Sequence, residues 1–153
     1  MLEFFKIKQK VKESDPEFEK QKQDLESKNN RHIIEGLESK YKEKLTENPI
    51  KIIPSLGEAR EIKDIYKLST SISGDGEDIG VNFDKGDKYF YTDKNGKIND
   101  RVFDNMYKTD EESMQTITTI MTDLINRSGY SDVEKNKMQT NVINHLNSLV
   151  KKD

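Results

Sequence analysis

The sequence predicts an α+β domain: a long N-terminal helix, a three- to four-stranded antiparallel meander sheet, and a C-terminal αα-hairpin packed on that sheet. Three observations lead there. Apolar and polar residues alternate between Tyr66 and Phe103, in runs separated by Gly-containing turns. Two apolar stripes at helical spacing close the chain, each headed by a capping sequence. A stretch of strong helix formers rich in Lys and Glu precedes the strands.

Composition says where the core lies. Of 153 residues, 31 % are hydrophobic and 36 % charged. Residues 1–51 carry 12 basic and 11 acidic side chains, 23 of the 55 in the chain, in one third of its length. A core therefore belongs to the later residues, and the chain divides into a charged, partly solvated helical segment over 1–30 and a single α+β domain over 31–153.

The first residues, LEFFKIKQKV, set Leu2, Phe4, Phe5, Ile7 and Val11 among lysines. The spacing fits a short strand or a helix, and the segment reads as a terminal element on the core or a basic, apolar tip for a membrane surface. Asp15-Pro16 is a helix start, with a capping residue before proline at the first helical position. Ile33, Ile34, Leu37, Tyr41 and Leu45 then make one apolar stripe, and Asn48-Pro49 ends the helix because the residue before proline avoids helical backbone angles.

Ile50, Ile52 and Ile53 suggest a short extended segment stopped by Pro54. Ile62, Ile65 and Tyr66 fit a helical turn, whereas Tyr66, Leu68, Thr70 and Ile72 alternate as a strand. Gly74-Asp75-Gly76 turns the chain, Ile79, Val81 and Phe83 form the next strand, and Tyr89-Phe90-Tyr91 lies in a third. Ile98, Val102 and Phe103 follow the last turn. Thr109 to Glu112 reads as a capping box ahead of Met114, Ile117, Ile120, Met121, Leu124 and Ile125. Ser131 to Glu134 reads as a second, ahead of Met138, Val142, Ile143, Leu146, Leu149 and Val150.

The segment YFYTDKNGKI resembles the middle of a calcium-binding loop. Placing Gly96 at its sixth position sets Asp93 third and Asn95 fifth, but the first and twelfth positions become Tyr91 and Val102. Both anchoring carboxylates are missing, so the segment is read as a β-hairpin with Asn95-Gly96 in a two-residue turn. A looser acidic group, Asp75, Glu77, Asp78, Asp84 and Asp87, suits a weak cation or simply the chemistry of turns. No metal site and no cofactor is assigned.

Other chemistry finds little footing. The chain has no cysteine, which removes disulfides and thiolate chemistry. His32 and His145 stand apart on separate helices, outside any paired-histidine motif. GDGEDIG lacks the spacing of a phosphate or dinucleotide loop, and no GxSxG elbow occurs, so no catalytic residue is assigned. A net charge of −3 with interleaved signs disfavours nucleic acid. Met106, Met114, Met121 and Met138 are read as core filler ahead of a pliable groove.

The tyrosines are the better lead. In a strand Tyr89 and Tyr91 share one face and Phe90 takes the other, so helices over Phe90 would leave both tyrosines outward. With Asp84, Asp87 and Asp93 they compose the expected contact surface. The expected function is a non-enzymatic protein-binding module, such as an inhibitor, immunity-type or accessory protein, that occupies a partner's surface. The alternatives are an exported or envelope-associated accessory module with a helical stalk anchored through residues 1–11, and a small hydrolase. The expected location is the cytoplasm, or the envelope or exterior if a leader has been removed. No motif is specific enough to name a family.

Overall fold

The computed structural model describes residues 36–70 and 78–152. The expectations for Met1–Val11, Asp15-Pro16, His32, Ile33, Ile34, Ile72, the turn at Gly74–Gly76 and the N-terminal helix before residue 36 lie outside that range. Within it the chain is α+β, with three helices and two antiparallel sheets. We label the elements α1 (36–47), β1 (Ile50–Ile52), β2 (Arg60–Ile62), β3 (Ile65–Ser69), β4 (Ile79–Phe83), β5 (Lys88–Thr92), β6 (Ile98–Asp100), α2 (Glu111–Asn126) and α3 (Asp132–Leu149).

The alternation produces the main sheet, a four-stranded meander in the order β3-β4-β5-β6. Its core side is Leu68, Ile79, Val81, Phe83, Phe90 and Thr92, all buried. The apolar five pack in one cluster with Ile117, Ile120, Met121, Leu124 and Ile125 of α2 and with Met138, Val142, Leu146 and Leu149 of α3. Each such side chain taken fully from water contributes about 1.5–3 kcal/mol. Leu37, Tyr41 and Leu45 of α1 join the same cluster. Met121 and Met138 are core residues, while Met106 is exposed.

Residues 60–62 correct one expectation. Ile62 and Ile65 are not on a helical turn. Arg60–Ile62 pairs with Ile50–Ile52 as a separate two-stranded sheet, and Ile65 opens β3. The β-branched residues have an antiparallel partner to pair with, and that overrides the weak three-and-four spacing. Tyr66 is the extra residue of a bulge, between Ile65 opposite Phe83 and Lys67 opposite Asn82.

The β5–β6 hairpin corrects another. Its connection is a three-residue loop, closed by the amide of Asp93 donating to Lys97 O at 3.1 Å. Residues 94 and 95 form a turn in which Gly96 N donates to Asp93 O at 3.0 Å, and only Gly96 of the pair has positive φ, at +80°. The Asp93 carboxylate caps the loop, with Oδ1 accepting from the amides of Asn95 and Lys97 at 2.9 Å each. From α3, Asn141 Nδ2 donates to Gly96 O at 2.8 Å, and a Cβ on Gly96 would fall 2.3 Å from that nitrogen.

The helical hairpin is capped, but not quite as expected. Ser131 and Glu134 make both bonds of a capping box at the head of α3. At α2 the cap is Asp110, whose Oδ1 accepts from Ser113 N at 2.8 Å. Thr109 is engaged elsewhere: its hydroxyl donates to Lys51 O at 2.7 Å, and its backbone bonds Leu149 O and Lys151 N. Ile53 and Lys108 pair alongside. Strand β1, the start of α2 and the end of α3 are thereby stitched together. Burial alone would raise the Asp110 pKa. The Ser113 hydroxyl and amide and the Lys51 ammonium outweigh it and hold the carboxyl below its ordinary value.

One further polar link ties α1 to α2. The Tyr41 hydroxyl donates to Asp123 Oδ2, and Arg127 Nε donates to Asp123 Oδ1 at 2.9 Å. Burial, then the bond to Asp123 and its negative charge, push the Tyr41 phenol well above the ordinary tyrosine value. For Asp123, burial acts upward, but the Tyr41 and Arg127 bonds and the charges of Arg127 and Lys40 bring it below the usual range.

Two predictions follow from these contacts. Gly96→Ala should lower stability by about 1–3 kcal/mol, from left-handed strain and a displaced Asn141 amide; urea unfolding of Asn141→Ala alongside separates the two contributions. Tyr41→Phe should cost about 1.5 kcal/mol at neutral pH. Because the folded-state phenol pKa is raised, the wild-type contribution is complete below the unfolded value of about 10 and declines as pH rises beyond it. Thermal melts between neutrality and the alkaline limit should therefore show a shallower alkaline decline in the variant.

Candidate functional site

The side of the meander away from the helical hairpin carries a different set of residues. Pairing register arranges them in rows across the strands. Lys67 faces Asn82, which faces Tyr89. Ser69 faces Gly80, Gly80 faces Tyr91, and Tyr91 faces Asn99. Of these residues, Lys67, Ser69, Asn82, Tyr89, Tyr91 and Asn99 line, with Asp78 and Gly86, a shallow concavity of about 620 Å³.

Glycine is required beneath the Tyr91 ring. A Cβ on Gly80 would lie 2.0 Å from Phe90 O and 2.5 Å from Tyr91 Cδ1, so the Tyr91 ring rests over bare backbone. The Tyr91 hydroxyl donates to Asn82 Oδ1, which fixes the ring in place. The Tyr89 and Tyr91 rings stand 5.7 Å apart at 43°, forming an angled wall rather than a stack. Tyr66, 62 % exposed at its bulge, borders Gly86.

Phe90 points the other way. It is buried, with its ring edge-on to His145 at 5.7 Å. His145 Nε2 lies 2.9 Å from Asp100 Oδ2, and Asp100 Oδ1 accepts from Phe103 N at 2.9 Å. The Asp100 side chain is only 2 % exposed, so these two partners satisfy a carboxylate that water does not reach. His145 thus serves the joint between α3 and β6, on the opposite side of the sheet from the hollow.

The expected contact residues separate into two groups. Tyr89 and Tyr91 meet in the concavity. Asp93 is at one end of β5, while Asp84 and Asp87 are exposed at the other, about 20 Å along the strand. Asp84 and Asp87 flank a tight connection in which Asp84 and Lys85 take positive φ and Asp87 N donates to Asp84 O at 3.2 Å. The expected acidic group divides the same way, since Asp78 precedes β4 and Asp84 follows it. Asp75 and Glu77 lie outside the described residues, and among those described no cluster of three or more His, Cys, Asp or Glu is able to hold a metal ion.

Asp78 and Asp93 do converge, on either side of the strand ends. With Lys97 and Asn99 they line a second hollow of about 300 Å³ that adjoins the first. Burial, then the Asp93 charge, raises the Asp78 pKa; burial, then the Asp78 charge, raises that of Tyr91. Lys67, Ser69, Asn82 and Asn99 were not among the expected site residues. Ser69 belongs to the alternation of β3, but the identity of its neighbours across the sheet follows only from register.

Comparison with protein-family models, with curated proteins and with solved structures gives no match.

Asp78→Asn should bring the Tyr91 phenol down toward the ordinary tyrosine value without reaching it, because burial, the larger cause, remains. Alkaline titration of the Tyr91 ring resonances by NMR, with and without the substitution, measures the difference. A Tyr91 midpoint that does not move would show that the two groups are not in electrostatic contact.

Proposed function

We propose that this protein is a non-enzymatic protein-binding module, in the manner of an inhibitor, immunity-type or accessory protein, and that the open side of the four-stranded sheet is its contact surface. The observation that carries the reading is the tyrosine-walled concavity: helices pack against Phe90 and its neighbours, while Tyr89 and Tyr91 line a hollow on the other side. Tyrosine suits such a role because it presents a large apolar ring and a polar tip at low cost in side-chain entropy. The hollow is shallow and mostly polar in its lining groups, which fits the surface of another protein better than the enclosed apolar pocket typical of small-ligand sites.

Asp93 belongs to this surface through the adjoining hollow. Asp84 and Asp87 belong to it only if the partner extends past Gly86 to the far end of β5. Among the described residues no helix is long and apolar enough to cross a membrane. The reading places no cofactor, metal or nucleic acid at the surface.

The test is recovery of the tagged protein from its own host, with identification of a stoichiometric companion. Replacing Tyr89 and Tyr91 together by Ala should weaken that companion's binding by about tenfold or more. Far-UV circular dichroism and a thermal melt would establish that the variant is folded. Unchanged affinity in a folded variant would reject this surface.

A further inference from the structure

We infer that the partner lays an extended segment of unlike charge along this face, its basic side chain over Asp78 and Asp93 and its acidic side chain over Lys67. The inference rests on the docking reading above and adds the chemistry and direction of what docks.

The charges on the face are segregated. Asp78 and Asp93 stand at the end where β4 begins and β5 finishes, with one ammonium, Lys97, beside them. Lys67 stands in the row of Asn82 and Tyr89, at the outer strand of the sheet. No ion pair joins Lys67, Asp78 or Asp93 to another described residue. The ion pairs among the described residues are Lys51–Asp110, Lys63–Glu61, Arg127–Asp123 and His145–Asp100. Lys67, which is exposed, and Asp78 and Asp93, which are half-buried, offer their charges to a ligand along the hollows.

Geometry sets the spacing. From Asn82 back to Asp78 is four residues along β4, about 13 Å in an extended strand. Every second residue of an extended peptide faces the same way, so residues i and i+4 of the ligand also stand about 13 Å apart on one side. Between them residue i+2 falls on the middle row, where the Tyr91 ring covers Gly80. Ser69 and Asn99 flank that point with hydrogen-bonding groups that have no partner among the described residues. A small or polar residue at i+2 fits the site. A like-charged ligand, or one too short to span the two ends, leaves at least one end charge unanswered.

The probes are seven-residue peptides, acetylated and amidated, carrying Lys and Glu four positions apart. Controls carry two Lys or two Glu at the same positions. Amide resonances of Ser69, Tyr91 and Asn99 are followed in the intact protein. The unlike-charged peptide should shift these resonances, and should bind at least about fivefold more tightly than either control. Asp78→Asn and Lys67→Gln should each remove most of that preference and flatten its salt dependence. Equal binding by all three peptides, or no shift at these residues up to millimolar peptide, overturns the inference. If a captured partner loses affinity on replacement of Tyr89 and Tyr91 but is indifferent to Asp78→Asn and Lys67→Gln, the charge rule falls and the docking surface stands. If the partner ignores both sets, the surface falls as well.

Discussion

The oily side of β4 and β5 has to be roofed. Ile79, Val81, Phe83 and Phe90 present a continuous apolar surface that water will not tolerate, and the chain's answer is the capped pair α2 and α3. Period-two geometry then dictates what is left over. Once Phe90 is committed inward, Tyr89 and Tyr91 have no choice of side, and neither do Lys67, Ser69, Asn82 and Asn99 on the neighbouring strands. A slip of one residue in any pairing would exchange the two sets. The open face of the sheet is therefore a by-product of core packing, held in register by the same hydrophobic free energy that folds the domain.

Much of this was legible from the sequence because it depends on local rules. Alternation in IGVNF and KYFYT identified two strands and the sides of their residues, and a stripe from Ile117 to Ile125 identified a helix and its buried face. The Ser131–Glu134 cap needed only four consecutive residues. Where local signals compete, tertiary contacts decided. Thr109 and Asp110 are both good caps, and Asp110 takes the place because Thr109 is held by Lys51 and by the chain's last residues. Arg60–Ile62 became a strand because Ile50–Ile52 lay ready to pair with it.

The candidate site was less legible for a geometric reason. Its tyrosines lie two apart in one strand, which a sequence displays. Its remaining members come from β3, β4, the start of β4 and β6, and their adjacency depends on registers that no single segment encodes. The expected acidic cluster shows the cost of missing this. In a meander, successive turns fall at opposite ends of the sheet, so Asp78 meets Asp93, from two turns away, and is parted from Asp84, which is nearer in sequence. Carboxylates close along the chain were parted, and carboxylates far along it were joined.

The stitching of Thr109 to Leu149 and Lys151 has a bearing on how the domain comes apart. Antiparallel helix pairs often peel away as independent units, because their ends are free. Here the two open ends of the hairpin are bound to each other and to β1, while its body is pinned to the sheet through Asn141 and His145. Partial detachment would have to release several anchors at once. Such an arrangement favours release of the roof and the floor of the domain as a single cooperative block.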